Sequence, residues 1–324
     1  MYRFFAVAAL FCLGAGMGFA SVDNGLLALV PANAKVVTSM DVQQARTSPF
    51  GQFLLSQTNA NGQGFEEMAR QTGFDPRSDL QTLMFASPGP SASPQSGFVV
   101  LMRGTFDAQR ISNLILSKGG AVQTSDGVDI YVNTHKRNGV TTAFALPDTG
   151  IAVLGDLASV QQVIANRANP TVLDPDLQSL IANVSGANDA WFATVLGGSY
   201  LTMHINHATN QQAKPQAQAL QSVRQAAGGL HFGSTVDFSF DAITRSPQDA
   251  TALADVIHFL TSMVQLQTKN GAPPPAITAA LQNMSLNTSG NTLQASLSIP
   301  EASMEQLVAS DMQAHHGFKA AKPQ

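Results

Sequence analysis

The chain has 324 residues, 44% of them hydrophobic and only 12% charged, with a formal net charge of -4. The charged share is about half that of ordinary globular domains, so Gln, Asn, Ser and Thr must wet much of the surface. Lys and Arg form no cluster beyond Lys136-Arg137, which excludes the basic footprint that phosphate binding demands and, with it, nucleic acid as a partner.

Met1-Tyr2-Arg3 is a short, weakly basic start, and Phe4 to Phe19 is an unbroken apolar or glycine run. This is the layout of a signal peptide. Gly18 and Ala20 supply small residues ahead of Ser21, so cleavage is expected after Ala20 and the body in the periplasm or outside the cell. An uncleaved anchor is the alternative, because the run is near the lower limit for crossing the hydrocarbon core. Arg3 precedes it, and the body is exported under either reading. Cys12, the only cysteine, lies in this segment behind bulky Phe11, the wrong neighbour for lipid attachment. A mature chain without thiols has no disulfides and depends on its core.

Val36 to Met40 reads as a strand, followed by a helix from Gln43 to Leu55 that Pro49 should break. Phe65 to Gln71 is a short helix, stopped by Gly73 and Pro76. Leu83 to Phe85 and Gly97 to Met102 are strands on either side of a Pro/Ser loop, and Phe106 to Leu116 is a helix with Ile111, Leu114 and Ile115 on one face. Val128 to Val132 and Val140 to Leu146 form a hairpin around Asn138-Gly139, a pair suited to a tight turn. Ile151 to Leu154 adds a strand, and Ser159 to Ala165 a helix with Val160, Val163 and Ile164 inward.

Pro170 and Pro175 break the chain twice and mark a boundary. Beyond it come a helix near Leu177 to Ala182, a strand at Trp191 to Val195 and a polar loop from Asn206 to Gln216. Leu230 to Phe240 reads as one long strand with Phe232, Val236, Phe238 and Phe240 on one face. Ser246 caps a helix begun by Pro247, with Ala250, Leu253, Ala254, Ile257, Leu260 and Val264 on its buried side. Residues 270–275 end it. A helix at Ile277 to Leu281, a hairpin of Leu286 and Leu293 to Ile299 around Gly290-Asn291, and a helix from Pro300 to Val308 complete the pattern.

The expected organisation is a signal peptide at 1–20, α+β domains at 24–168 and 174–312, and a flexible tail at 313–324. Each half reads as antiparallel sheet with helices packed on one face. Thr105-Phe106-Asp107-Ala108 and Ser239-Phe240-Asp241-Ala242 are locally alike and suggest an internal duplication, with two related domains.

No motif assigns a catalytic, cofactor or metal residue. Gly14, Gly16 and Gly18 with Asp41 imitate a dinucleotide fingerprint, but Phe19 stands where a glycine is needed and hairpins follow instead of parallel units. Asp148-Thr149-Gly150 matches the loop of aspartic proteases, yet no second such triplet exists to share a proton, and Pro147-Asp148-Thr149-Gly150 is ordinary turn chemistry. His204 and His207 have the spacing of metal ligands but no third ligand near them. His315 and His316 fall in the tail, and His258 reads as a packed or half-buried histidine. Asn183, Asn283 and Asn287 begin glycosylation triplets that matter only in a eukaryotic secretory route.

Leu29 to Ala34 leading into a strand, Thr47-Ser48-Pro49 with its helix, and Gly73-Phe74-Asp75-Pro76-Arg77-Ser78-Asp79-Leu80 resemble exported bacterial proteins of unknown function. The resemblance covers the first third of the mature chain. It implies a bacterial envelope protein of α+β fold, and it brings no activity or ligand with it.

The reading is a non-catalytic exported envelope protein with a binding or structural role, its partner an unknown protein or a small apolar ligand, needing no cofactor. Catalysis requires convergent titratable groups, and no spacing here predicts them. The alternatives are a hydrolase whose acidic residues, Asp148 with a distant Asp, meet only in the fold, and a membrane-tethered scaffold.

Overall fold

The structure is a computed structural model whose described residues are 22–60, 63–89, 97–134, 141–198, 219–266, 275–306 and 308–309. The leader, the Asn138-Gly139 turn, Lys136-Arg137, the polar loop at 206–216, the stop at 270–274 and the tail lie outside them.

In chain order the first half comprises α1 (Asn24–Leu27), β1 (Val36–Asp41), α2 (Val42–Ala45), α3 (Pro49–Ala60), α4 (Gln63–Thr72), α5 (Pro76–Asp79), β2 (Leu80–Ser87), β3 (Val99–Gly104), α6 (Ala108–Ser117), β4 (Ala121–Ser125), β5 (Val128–Thr134), β6 (Thr141–Asp148), β7 (Ile151–Gly155) and α7 (Leu157–Asn166). The second comprises α8 (Pro175–Ser185), β8 (Ala190–Thr194), β9 (Val223–Phe232), β10 (Thr235–Thr244), α9 (Pro247–Leu266), α10 (Pro275–Gln282), β11 (Ser285–Ser289) and β12 (Thr292–Pro300), and residues 301–306 are helical.

Local chemistry explains most of these limits. Asp23, Asp41, Asp75, Asp107, Asp156 and Asp174 each accept a backbone N–H at the start of α1, α2, α5, α6, α7 and α8, satisfying donors that an uncapped first turn would leave open. Ser246 does the same for α9, its hydroxyl accepting the Asp249 N–H at 3.2 Å. Gly73 ends α4 at φ +72, a conformation that costs a glycine little.

Among the described residues all the strands belong to one 12-stranded sheet, in the order β11-β12-β10-β9-β8-β1-β2-β3-β7-β6-β5-β4. Every pairing is antiparallel. The fold is α+β. Where each half was expected to carry its own sheet, β1 pairs with β8, from Val36 opposite Thr194 to Met40 opposite Ala190, and the sheet runs through.

Strand alternation divides the core between the two faces. On the first face Val37, Met84, Leu101, Val153, Trp191 and Ala193 pack beneath Leu26 of α1, Val160 and Ile164 of α7, and Leu177 and Ile181 of α8. On the second, Met40, Leu230, Phe232 and Val236 meet Phe50 of α3, while Ala226, Ala242 and Leu293 meet Leu253 of α9. The expectation of helices on one face is thereby corrected. A sheet this wide is apolar on both sides near its middle, and each side needs cover.

The single strand expected from Leu230 to Phe240 is two. Gly233 and Ser234 turn the chain between β9 and β10, and Val236 pairs with Phe232. The alternation survived because the turn returns the chain in register, leaving Phe232, Val236, Phe238 and Phe240 on one face. The two tetrapeptides that look alike occupy different settings: Asp107 caps α6, whereas Asp241 lies within β10.

Candidate functional site

Cross-strand register assembles a polar row where the middle strands begin or end. Asp41 of β1 stands opposite Thr82 of β2, and its N–H donates to the Asp189 carbonyl at 2.9 Å. Asp189 in turn donates its N–H to the Leu230 carbonyl at 2.8 Å, and His231 stands opposite Asp237 of β10. Directly opposed residues share a face, so Asp41, Asp189, His231 and Asp237 follow one another across four strands.

Asp189 is the chemical centre of the row. Its side chain is 0% exposed, against 25% for His231. One carboxylate oxygen, Oδ2, lies 2.9 Å from His231 Nδ1 and accepts the Phe232 N–H at 3.2 Å. Burial pushes its pKa up to about 6, with the Asp41 charge adding to the rise; the Phe232 N–H and His231 act in the opposite direction. Asp41 is committed elsewhere, its carboxylate accepting the Gln44 N–H at 2.8 Å. Asp237 accepts the Thr235 hydroxyl at 2.9 Å.

The adjoining Asn188 is buried and bridges two elements. Its Nδ2 donates to the Val184 carbonyl of α8 at 2.7 Å, and its Oδ1 accepts the Ser239 hydroxyl of β10 at 3.1 Å. The opposite end of the β1–β8 junction is held by Lys35, whose Nζ lies 2.6 Å from the carboxylate that caps α8, Asp174.

Compared with protein-family models, with curated proteins and with solved structures, the chain matches none.

Asp148 sits exposed at the end of β6, and its Oδ1 accepts the N–H and hydroxyl of the adjacent Thr149 at 2.6 and 3.2 Å. That is turn chemistry. His258 is exposed on α9, not packed as expected, because it falls outside the stripe of Ala250 and Leu253 that faces the sheet. The asparagines of the three glycosylation triplets, Asn183, Asn283 and Asn287, are all exposed. Cys12, Gly14, Gly16, Gly18, His204, His207, His315 and His316 lie outside the described residues. Among the described residues no group of three His, Cys, Asp or Glu could hold a metal ion, and no helix is long and apolar enough to cross a membrane.

Asp189 and His231 had no motif to betray them. The one available signal was a polar residue at the margin of an apolar strand, Asp189 before Ala190-Trp191 and His231 between Leu230 and Phe232. Only the β8–β9 register brings the two together.

A second feature lies on the opposite face. Tyr131, Phe144, Leu154, Val100 and Phe85 stand opposite one another across β5, β6, β7, β3 and β2. All are part-buried, and none belongs to the clusters that form the core. Phe85 also stacks on Phe98, with ring centroids 6.3 Å apart.

Proposed function

We propose that this is an exported, non-catalytic envelope protein, processed after Ala20, that binds an apolar ligand or protein segment or serves a structural role. The observation that carries the reading is how the carboxylates are used. Six aspartates cap helices, and Asp148 closes a turn, where a hydrolase of the acidic type would need two converging on one substrate atom. The part-buried row from Tyr131 to Phe85 supports an apolar partner, since specific binding sites are mostly apolar with few polar groups.

The body is, in this reading, a duplicated unit. Each half places three consecutive strands side by side, β1-β2-β3 and β8-β9-β10, and sends a helix off the third, α6 and α9. Each then returns its last strand, β7 or β12, to the third strand's free edge. The second half has one hairpin fewer.

A hydrolase remains the rival, and Asp189 is what favours it, because a buried carboxylate on Nδ1 is the support a catalytic histidine uses. The neighbouring hydroxyl on that face, Ser239, is engaged with Asn188. Titration with anilinonaphthalene sulfonate separates the two readings. The binding account expects a blue-shifted rise in fluorescence that Phe144→Ser reduces and His231→Ala leaves alone. Equal fluorescence in wild type and Phe144→Ser, together with an esterase activity that His231→Ala abolishes, would transfer the case to the rival.

A further inference from the structure

The row at the middle of the sheet combines a buried carboxylate, a half-buried histidine and a second carboxylate at the place where the chain's two halves join. We propose that the Asp189–His231 contact is an acid-tightened clasp, fastening β8 to β9 more firmly as the pH falls and loosening that pairing as it rises.

Ionised Asp189 carries a charge into the interior. The charged groups acting on it include Asp41 from β1 and His231 from β9, and Asp237 of β10 stands opposite His231. The turn after α8 contributes Asn188, which carries no charge. With Asp189 ionised and His231 neutral, the pair holds a net negative charge at a 0% exposed site, next to a second carboxylate. Burying such a charge is costly unless it is matched. One added proton on the carboxylate cancels that charge and leaves a neutral hydrogen-bonded pair. The 2.9 Å contact serves both forms.

The direction of the effect follows from linkage. A carboxyl whose folded pKa lies near 6, above its ordinary 3.8, takes up its proton earlier in the folded state than in the unfolded one. Its contribution to stability is complete below about 3.8 and is lost as the pH rises through 6. This is opposite to Asp23 and Asp156. At those two sites burial opposes ionisation but is outweighed, by Arg103 at Asp23 and by the Ser159 and Gly97 contacts at Asp156, so both lie below the ordinary value. They lose their contribution in acid.

The clasp lies at the joint because β8 is bounded by β9 on one side and β1 on the other. Asp189 touches both neighbours, through its carboxylate to β9 and its carbonyl to β1. Tightening it therefore acts on the strand through which the two halves meet.

The test is the thermal midpoint at pH 5 and pH 8 for wild type, Asp189→Asn and the exposed helix control Asp255→Asn, followed by fluorescence of the single tryptophan, Trp191. Wild type should gain roughly 3–6 °C on Asp189→Asn between pH 8 and pH 5, and Asp255→Asn should track wild type. Parallel curves for wild type and Asp189→Asn overturn the proposal. Should Asp189→Asn not fold, hydrogen exchange on the wild type decides. Protection of β8 and β9 amides, corrected for intrinsic rates, is expected to rise from pH 8 to pH 5 relative to β5 and β6, and an equal change in both regions overturns it.

Discussion

Asn188 can reach from α8 to β10 because Gly229, opposite Trp191 on β9, has no side chain. A Cβ placed at Gly229 would lie 2.3 Å from Asn188 Cγ, closer than any real contact, and Asn188 is held by Val184 and Ser239 with no freedom to withdraw. Gly229→Ala should therefore destabilise the fold by about 1–3 kcal/mol, the usual range for overpacking, read as a lower urea midpoint with unchanged slope. An unshifted midpoint would mean that Asn188 moves aside freely. Charge is used at this scale to place elements more than to do chemistry. Asp23 caps α1 and grips Arg103 of β3, with Oδ1 2.8 Å from a guanidinium nitrogen. Asp156 caps α7 and accepts the Gly97 N–H at 2.8 Å. Such residues tie helix starts to neighbouring strands, which accounts for the prominence of aspartate in a chain so poor in charge.

Among the elements, α7 and α8 carry the cover of the first face, and their sequences state it clearly. Val160, Val163 and Ile164 are inward on α7 as their spacing requires, and Leu177, Leu180, Ile181 and Val184 line α8. Leu177→Ala, at a fully buried site, should cost about 2–5 kcal/mol, whereas Val172→Ala, 77% exposed in the preceding segment, should fall within about 0.5 kcal/mol of wild type. Chemical denaturation of both variants checks the contrast, and similar losses would show that α8 is not seated as described. Elements with an amphipathic face or a cap were legible for this reason. Those without were not: β4 is an edge strand with little to bury, and the middle of β9, Ala226-Ala227-Gly228-Gly229, has neither β-branched nor aromatic residues. It forms a strand because β8 and β10 hold it on both sides, which is tertiary context overriding local propensity. The candidate site shares that origin, since Asp189 and His231 are 42 residues apart and no periodicity foretells their meeting.

At the scale of the whole molecule, the sheet grows outward from the β1–β8 pair, and that pairing joins strands from the opposite sides of the Pro170 and Pro175 breaks. A chain that buries both faces of a 12-stranded sheet without a cysteine in its described body depends on apolar packing, consistent with the weakly charged composition that the sequence begins with. We propose that an N-terminal leader directs this body across a membrane and is then removed. The most direct test of this is the intact mass of the protein recovered after the full chain is produced in a Gram-negative bacterium and the cell is fractionated. The account predicts a periplasmic protein beginning at Ser21, and a cytoplasmic protein that still begins at Met1 would contradict it.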